Sequence, residues 1–173
     1  MQNIQEKAIE ELKGLQAHYD YDASYLYEDL YQATPTGFEK FYNFMPLSQH
    51  RDEAPIDAYL TAYLISTQAA DCGPCLQLVV KMAKEAGLSS QLVQSTLNDG
   101  HDLPDHLKLV RRYALVVANA EALDPELFAA MIETYNKTIV AELALAIASA
   151  RVFPTIKRAL GKAQSCALTA LEV

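Results

Sequence analysis

Apolar side chains recur every three to four residues along almost the whole chain, a spacing that gathers them on one face of an α-helix and scatters them over both faces of a strand. Ile4, Ala8, Leu12 and Leu15 mark a helix over about residues 3–18. Ile56, Leu60, Tyr63, Leu64 and Thr67 line one face of a helix that runs up to Asp71, and another is expected from Pro74 to Ala86 with Gly87 as its stop. Ser89 or Ser90 caps a short helix ending near Asn98-Asp99-Gly100. Pro104 opens one that carries Leu107, Val110, Ala114 and Val117, and Asp124-Pro125 opens one that carries Phe128, Met131 and Ile132. A last long helix begins near Thr138, carries Ile139, Leu143, Ile147 and Ala150, and is expected to kink or break at Pro154. No segment alternates apolar and polar residues as a strand would. The expected fold is all-α, a bundle of about eight helices.

Residues 1–50 differ from the rest in being rich in aromatics. Tyr19, Tyr21, Tyr25, Tyr27, Tyr31, Phe38, Phe41, Tyr42 and Phe44 all fall there. Asp22 and Thr36 are candidate helix caps, and Pro35-Thr36-Gly37 reads as a break between two short helices. The cluster can wall a substrate pocket, but at helical spacing packing or a subunit interface is the commoner use of aromatics. No linker or repeat divides the chain, so residues 1–173 are read as one helical domain, with 1–50 as its aromatic N-terminal segment and 51–161 as its core.

A chain of 173 residues can bury a sizeable core, and with 51% apolar and 21% charged residues it is not a disordered chain. No apolar run approaches the roughly 18 residues that span a bilayer. The start, Met1 to Lys7, lacks the basic-then-apolar pattern of a signal peptide. A soluble cytoplasmic protein is expected. The net charge of −8 disfavours nucleic acid and anionic membrane surfaces as partners. The dense basic stretches, Arg111-Arg112 and Lys157-Arg158, lie inside helical patterns.

Chemistry concentrates in Cys72-Gly73-Pro74-Cys75. The pair precedes a helix whose free first-turn N–H groups favour a thiolate, the reactive form of cysteine. Pro74 suits a first helical turn, and Asp71 is a candidate cap. Three-residue spacing brings the two sulfurs near enough to form a disulfide. The competing readings are buried filler and metal. A zinc site needs four ligands, and Cys166, His101 and His106 supply no second pair, so neither metal nor bound cofactor is expected. Asp57, Gln68, Asp71, His101 and His106 are the nearest candidate bases, each more ordinary as an exposed polar residue. His18 and His50 sit in polar surroundings. No phosphate-binding glycine loop, His-Glu-x-x-His or Gly-x-Ser-x-Gly occurs.

Cys-Gly-Pro-Cys is also the tetrapeptide of thioredoxins, where it follows a buried strand. Here it follows Tyr59-Leu60-Thr61-Ala62-Tyr63-Leu64-Ile65-Ser66-Thr67-Gln68-Ala69-Ala70, which has helical periodicity. A helix, then Cys-x-x-Cys opening a second helix, then Gly87-Leu88-Ser89, resembles the alkyl hydroperoxidase D (AhpD) family of the carboxymuconolactone decarboxylase superfamily. Arg111-Arg112-Tyr113-Ala114-Leu115-Val116 looks like its following helix, and Arg151 to Gly161 is similar to its closing segment. The resemblance covers roughly residues 50–161. It implies an all-helical homo-oligomer that reduces peroxides or disulfides through a cysteine pair, here Cys72 and Cys75, re-reduced by an external dithiol donor. The family pattern places a Glu twelve residues before the first Cys and a His four residues after the second, as a proton relay. Leu60 and Val79 stand at those places. The cysteines carry over and the relay does not. The alternatives are a non-catalytic or redox-responsive helical scaffold, and a member acting on a carbon substrate, against which the cysteine pair itself counts.

Overall fold

A computed structural model of the protein describes residues 4–165 and 170–173. Cys166 lies outside the described residues. Among these residues every regular element is helical: α1 (Ile4–Tyr19), a π-helical turn (Tyr25–Leu30) that runs into α2 (Tyr31–Ala33), α3 (Pro35–Phe44), a 3-10 turn (Leu47–Gln49), α4 (Ile56–Ala69), α5 (Gly73–Glu85), α6 (Ser90–Leu97), α7 (Asp105–Ala118) and α8 (Pro125–Ala159). The all-α expectation holds.

α4 is the centre. It packs most extensively on α7 and α8, and also on α5 and α6. Its apolar pattern suggests one buried face, but Ala58 to Ala62 and Leu64 to Thr67 are all buried, and Ile56 is exposed. No side chain caps its start. A cap is worth about 1 kcal/mol, whereas burying Leu64 and Ile65 contributes about 1.5–3 kcal/mol each. Burial on all sides therefore sets this helix. Val117 and Phe128, expected on inner faces, are exposed; Tyr113 and Ala118 take the inner positions of α7 beside Leu107, Val110 and Ala114.

Local signals act nearly where expected. Ser89 accepts from the Leu92 N–H and starts α6, and Gly87, at φ 94°, stops α5. Thr34, not Thr36, caps α3, because Pro35 takes the first helical position and leaves the Gly37 N–H for Thr34 Oγ1. Asn136, with φ 60° and ψ 170°, leaves the helical region inside α8. Its Oδ1 accepts from the Ile139 N–H at 3.1 Å, so a second helical run starts there. That run does not break at Pro154, which is buried within it. Tertiary packing overrides a local penalty of about 3 kcal/mol. By length and composition α8 could cross a membrane, although charged and polar residues interrupt its apolar run; 44% of its most apolar window is buried inside the fold. Val140, Leu143, Ala146, Ile147 and Ala150 supply core to the bundle.

Two apolar clusters result. The larger joins α4 to α8. The smaller gathers Ala8, Leu12, Tyr21, Ala23, Tyr25, Leu26 and Phe38 of the N-terminal segment, with Leu78, Ile156 and Leu160 against it. Glu142 ties the approach to α4 onto α8: its buried carboxylate accepts from the backbone N–H groups of Asp52, Glu53 and Ala54 at 2.8–3.2 Å. Burial pushes this carboxyl upward, but the three N–H donors outweigh it and hold its pKa below the usual 4.5. A lowered carboxyl pKa contributes stability above the unfolded value and loses it as pH falls through the folded one. Glu142→Gln is expected to cost about 1–3 kcal/mol at pH 7, because it removes the charge from these bonds. In chemical denaturation the gap between variant and wild type should narrow as pH falls below the usual carboxyl value and close once the folded carboxyl is protonated.

Candidate functional site

Between the two clusters lies a cavity of about 410 Å³. The N-terminal segment supplies one wall, with Leu12, Tyr21, Tyr25 and Leu26. α4 and α5 supply the other, with Tyr59, Leu60, Tyr63, Cys75 and Val79. Phe153 and Pro154 of α8 close it. Among the aromatics near the N-terminus, Tyr21 and Tyr25 are core residues that also face the cavity.

Cys72 is extended, with φ −121° and ψ 95°, and occupies the residue before α5; Cys75 lies in its first turn. Asp71, a candidate cap, stands one residue earlier at φ 50°. The two sulfurs stand at disulfide distance, with Cα atoms 5.3 Å apart. A strap from the end of α8 holds this turn. Arg158 donates to the carbonyls of Ala70 and Asp71, the Gly73 N–H donates to the Gln164 carbonyl at 2.9 Å, and Ser165 Oγ donates to the Asp71 carboxylate. Cys72 is 0% exposed and Cys75 4% exposed, and of the two only Cys75 lines the cavity.

Leu60 and Val79 both face the cavity that Cys75 faces, so apolar groups stand where the resemblance expects a carboxylate and an imidazole. The other candidate bases are engaged elsewhere. Asp57 pairs with His106 at 3.6 Å, and Gln68 donates to the Leu97 carbonyl. His101 is exposed. His18 pairs with Glu85, which also accepts from the Tyr19 hydroxyl.

The polar group that does meet the pair is Tyr21. Its hydroxyl lies 3.7 Å from Cys75 Sγ and donates to the Tyr25 hydroxyl at 3.4 Å. Sequence reading placed Tyr21 only within an aromatic cluster, since 54 residues separate it from Cys75. Its position follows from how α1 ends. Asp20 adopts φ 49°, and the Tyr21 N–H bonds back to the Gln16 carbonyl at 3.2 Å, closing a Schellman turn. Lys157 then fixes the ring. It is 2% exposed, donates to the Asp22 carbonyl at 2.8 Å, and sits 4.3 Å from the Tyr21 ring centroid and 5.0 Å from that of Tyr25. Burial lowers its pKa against a smaller upward pull from Asp22. Burial pushes Tyr21 up to about 12, with the bond to Tyr25 opposing and Asp22 adding to it. Burial also raises Tyr25 and Tyr63, and takes Tyr59 to about 12. All four phenols are neutral at pH 7. Among the described residues no three His, Cys, Asp or Glu side chains gather as a metal site requires.

Neither a family model, nor a curated protein, nor a solved structure matches the chain.

Such a site makes access one-sided. In the reduced protein a small apolar alkylating reagent should label Cys75 before Cys72, as read by peptide mapping. Val79→Phe, which narrows the cavity, should slow Cys75 labelling about tenfold, equivalent to about 1.4 kcal/mol. Thermal melting checks the variant's fold, since overpacking costs about 1–3 kcal/mol.

Proposed function

We propose that this chain is a thiol-dependent oxidoreductase of AhpD type that reduces peroxides or disulfides through Cys72 and Cys75. The observation that carries the reading is the cysteine pair at the head of α5 with only its second sulfur opening onto a mainly apolar cavity. A substrate entering there meets Cys75, so Cys75 attacks and Cys72 resolves. With a hydroperoxide, the Cys75 thiolate bonds to the distal oxygen, the O–O bond breaks, and the alcohol leaves. Cys72 then attacks the sulfenic acid, the S–S bond forms, and water leaves. An external dithiol donor of two electrons and two protons restores the pair. The dry wall suits a substrate with an apolar body, and a homo-oligomeric assembly fits the family resemblance.

A second reading, a redox-responsive or inert scaffold, is favoured by Leu60 and Val79, since neither can move a proton. Thiol titration before and after peroxide, followed by turnover with a dithiol donor, separates the two. The first reading expects the pair to oxidise to an internal disulfide and to be recycled, with Cys75→Ser abolishing turnover. An inert pair in folded protein favours the scaffold, and turnover that survives Cys75→Ser removes Cys75 as the attacking residue. Leu60→Glu with Val79→His should raise peroxide turnover on the order of the 10²-fold typical of a positioned acid–base pair. A buried Glu also costs stability, so the double variant's melting temperature is measured first.

A further inference from the structure

An apolar wall around a reacting thiol leaves its protons without a carrier, and the group placed to serve comes from the N-terminal segment. We propose that Tyr21 is a catalytic residue, whose hydroxyl donates a hydrogen bond to the Cys75 thiolate and gives its proton to the group that leaves when Cys75 reacts. The inference rests on the reading that Cys75 cycles between thiol and disulfide.

The geometry supports it in three ways. The hydroxyl is already 3.7 Å from Cys75 Sγ, within reach of a hydrogen bond to sulfur. Its one hydrogen now goes to Tyr25, but a thiolate is a charged acceptor and outcompetes a neutral phenol. Tyr25 can then turn its own hydrogen toward the Tyr21 oxygen, so the two phenols form a chain ending on the sulfur. Finally, the ring cannot drift. The Schellman turn holds its backbone, and Lys157 lies against its face.

The chemistry closes. When the Cys75 thiolate takes the distal oxygen of a hydroperoxide, the S–O bond forms, the O–O bond breaks, and an alkoxide departs with the electron pair. Tyr21 protonates it, because a phenol is a far stronger acid than an alcohol even after burial raises it to about 12. The phenolate left behind has the Lys157 ammonium over its ring, 4.3 Å from the centroid, and regains a proton from solvent. Cys72 loses its proton to solvent and attacks, and the hydroxide it displaces leaves as water. Lys157 is a positioning residue: it orients both rings and steadies the phenolate for that interval. The other titratable groups facing Tyr21 are Tyr25, Asp22 and Tyr63, and none is a cation that could replace Lys157.

The test reads the sulfur directly. In the full chain carrying Cys72→Ser and Cys166→Ser, Cys75 is the single thiol, and its iodoacetamide reaction rate against pH reports its ionisation. Adding Tyr21→Phe should move the midpoint up by about one pH unit, the size of shift one lost bond to a thiolate produces. Placing 3-fluorotyrosine at position 21 keeps ring and hydroxyl but makes a stronger donor, and should move the midpoint down; this chain also decides the matter if Tyr21→Phe fails to fold. Lys157→Met should move it up by less than Tyr21→Phe does. In the otherwise native chain Tyr21→Phe should cut peroxide turnover about 10²-fold. A midpoint that stays put in the folded Tyr21→Phe or fluorotyrosine chain overturns the role of Tyr21 whatever the turnover. A midpoint that moves while native protein shows no turnover supports the bond from Tyr21 to the thiolate and instead removes the oxidoreductase reading.

Discussion

The buried ammonium of Lys157 joins the two halves of the molecule. A charge taken out of water is costly unless it finds partners. Lys157 finds the Asp22 carbonyl and the faces of Tyr21 and Tyr25, all on the N-terminal segment. The segment also meets the bundle at its outer edge, where Glu85 pairs with His18 and Lys81 donates to the Tyr19 carbonyl, and through apolar contacts such as those of Leu78, Ile156 and Leu160 with its cluster. Apolar burial alone would hold the segment near the bundle; the buried ammonium, with one carbonyl and two rings to satisfy, fixes its register together with these outer polar contacts. That register decides which residues face the cavity.

The next residue works in the opposite direction. Arg158 donates to the carbonyls of Ala70 and Asp71 and so steadies the turn that presents Cys72. Four residues earlier, Pro154 stands in the cavity wall. One stretch at the end of α8 thus positions the cysteine turn, the tyrosines and the space between them. An unbroken helix through Pro154 is a condition of this arrangement, because a break there would uncouple Lys157 and Arg158 from the part of α8 that packs in the bundle core.

The apolar lining shapes what such a site can do. In a low-dielectric cavity each hydrogen bond to a developing charge is stronger than in water, while an unpaired charge is more costly. With Leu60 and Val79 in the wall, a thiolate at Cys75 depends on the few polar groups that reach it. A neutral phenol meets that need without adding a second buried charge.

The helices were legible in the sequence because apolar spacing, caps and stops are local properties. α4, α5, α6 and α7 start and stop close to where Pro55, Gly87, Ser89 and Pro104 suggest. The cysteine pair was legible too, as were the apolar residues at positions 60 and 79. The cap of α3 lies two residues before the expected Thr36 for a local reason, Pro35 at the first helical position, whereas Val117, Phe128 and the unbroken helix at Pro154 are details in which a distant partner decides between buried and exposed, or outweighs a local penalty. Tyr21 belongs to this second kind. Nothing in its neighbourhood distinguishes it from the other aromatics before residue 45. It meets Cys75 through the left-handed turn at Asp20 and the ammonium of Lys157, which lies 135 residues after the Asp22 carbonyl it binds. Periodicity carries information over a few turns of helix. A contact between a loop and a helix is set by what fills the space between them, and only the folded chain contains that space.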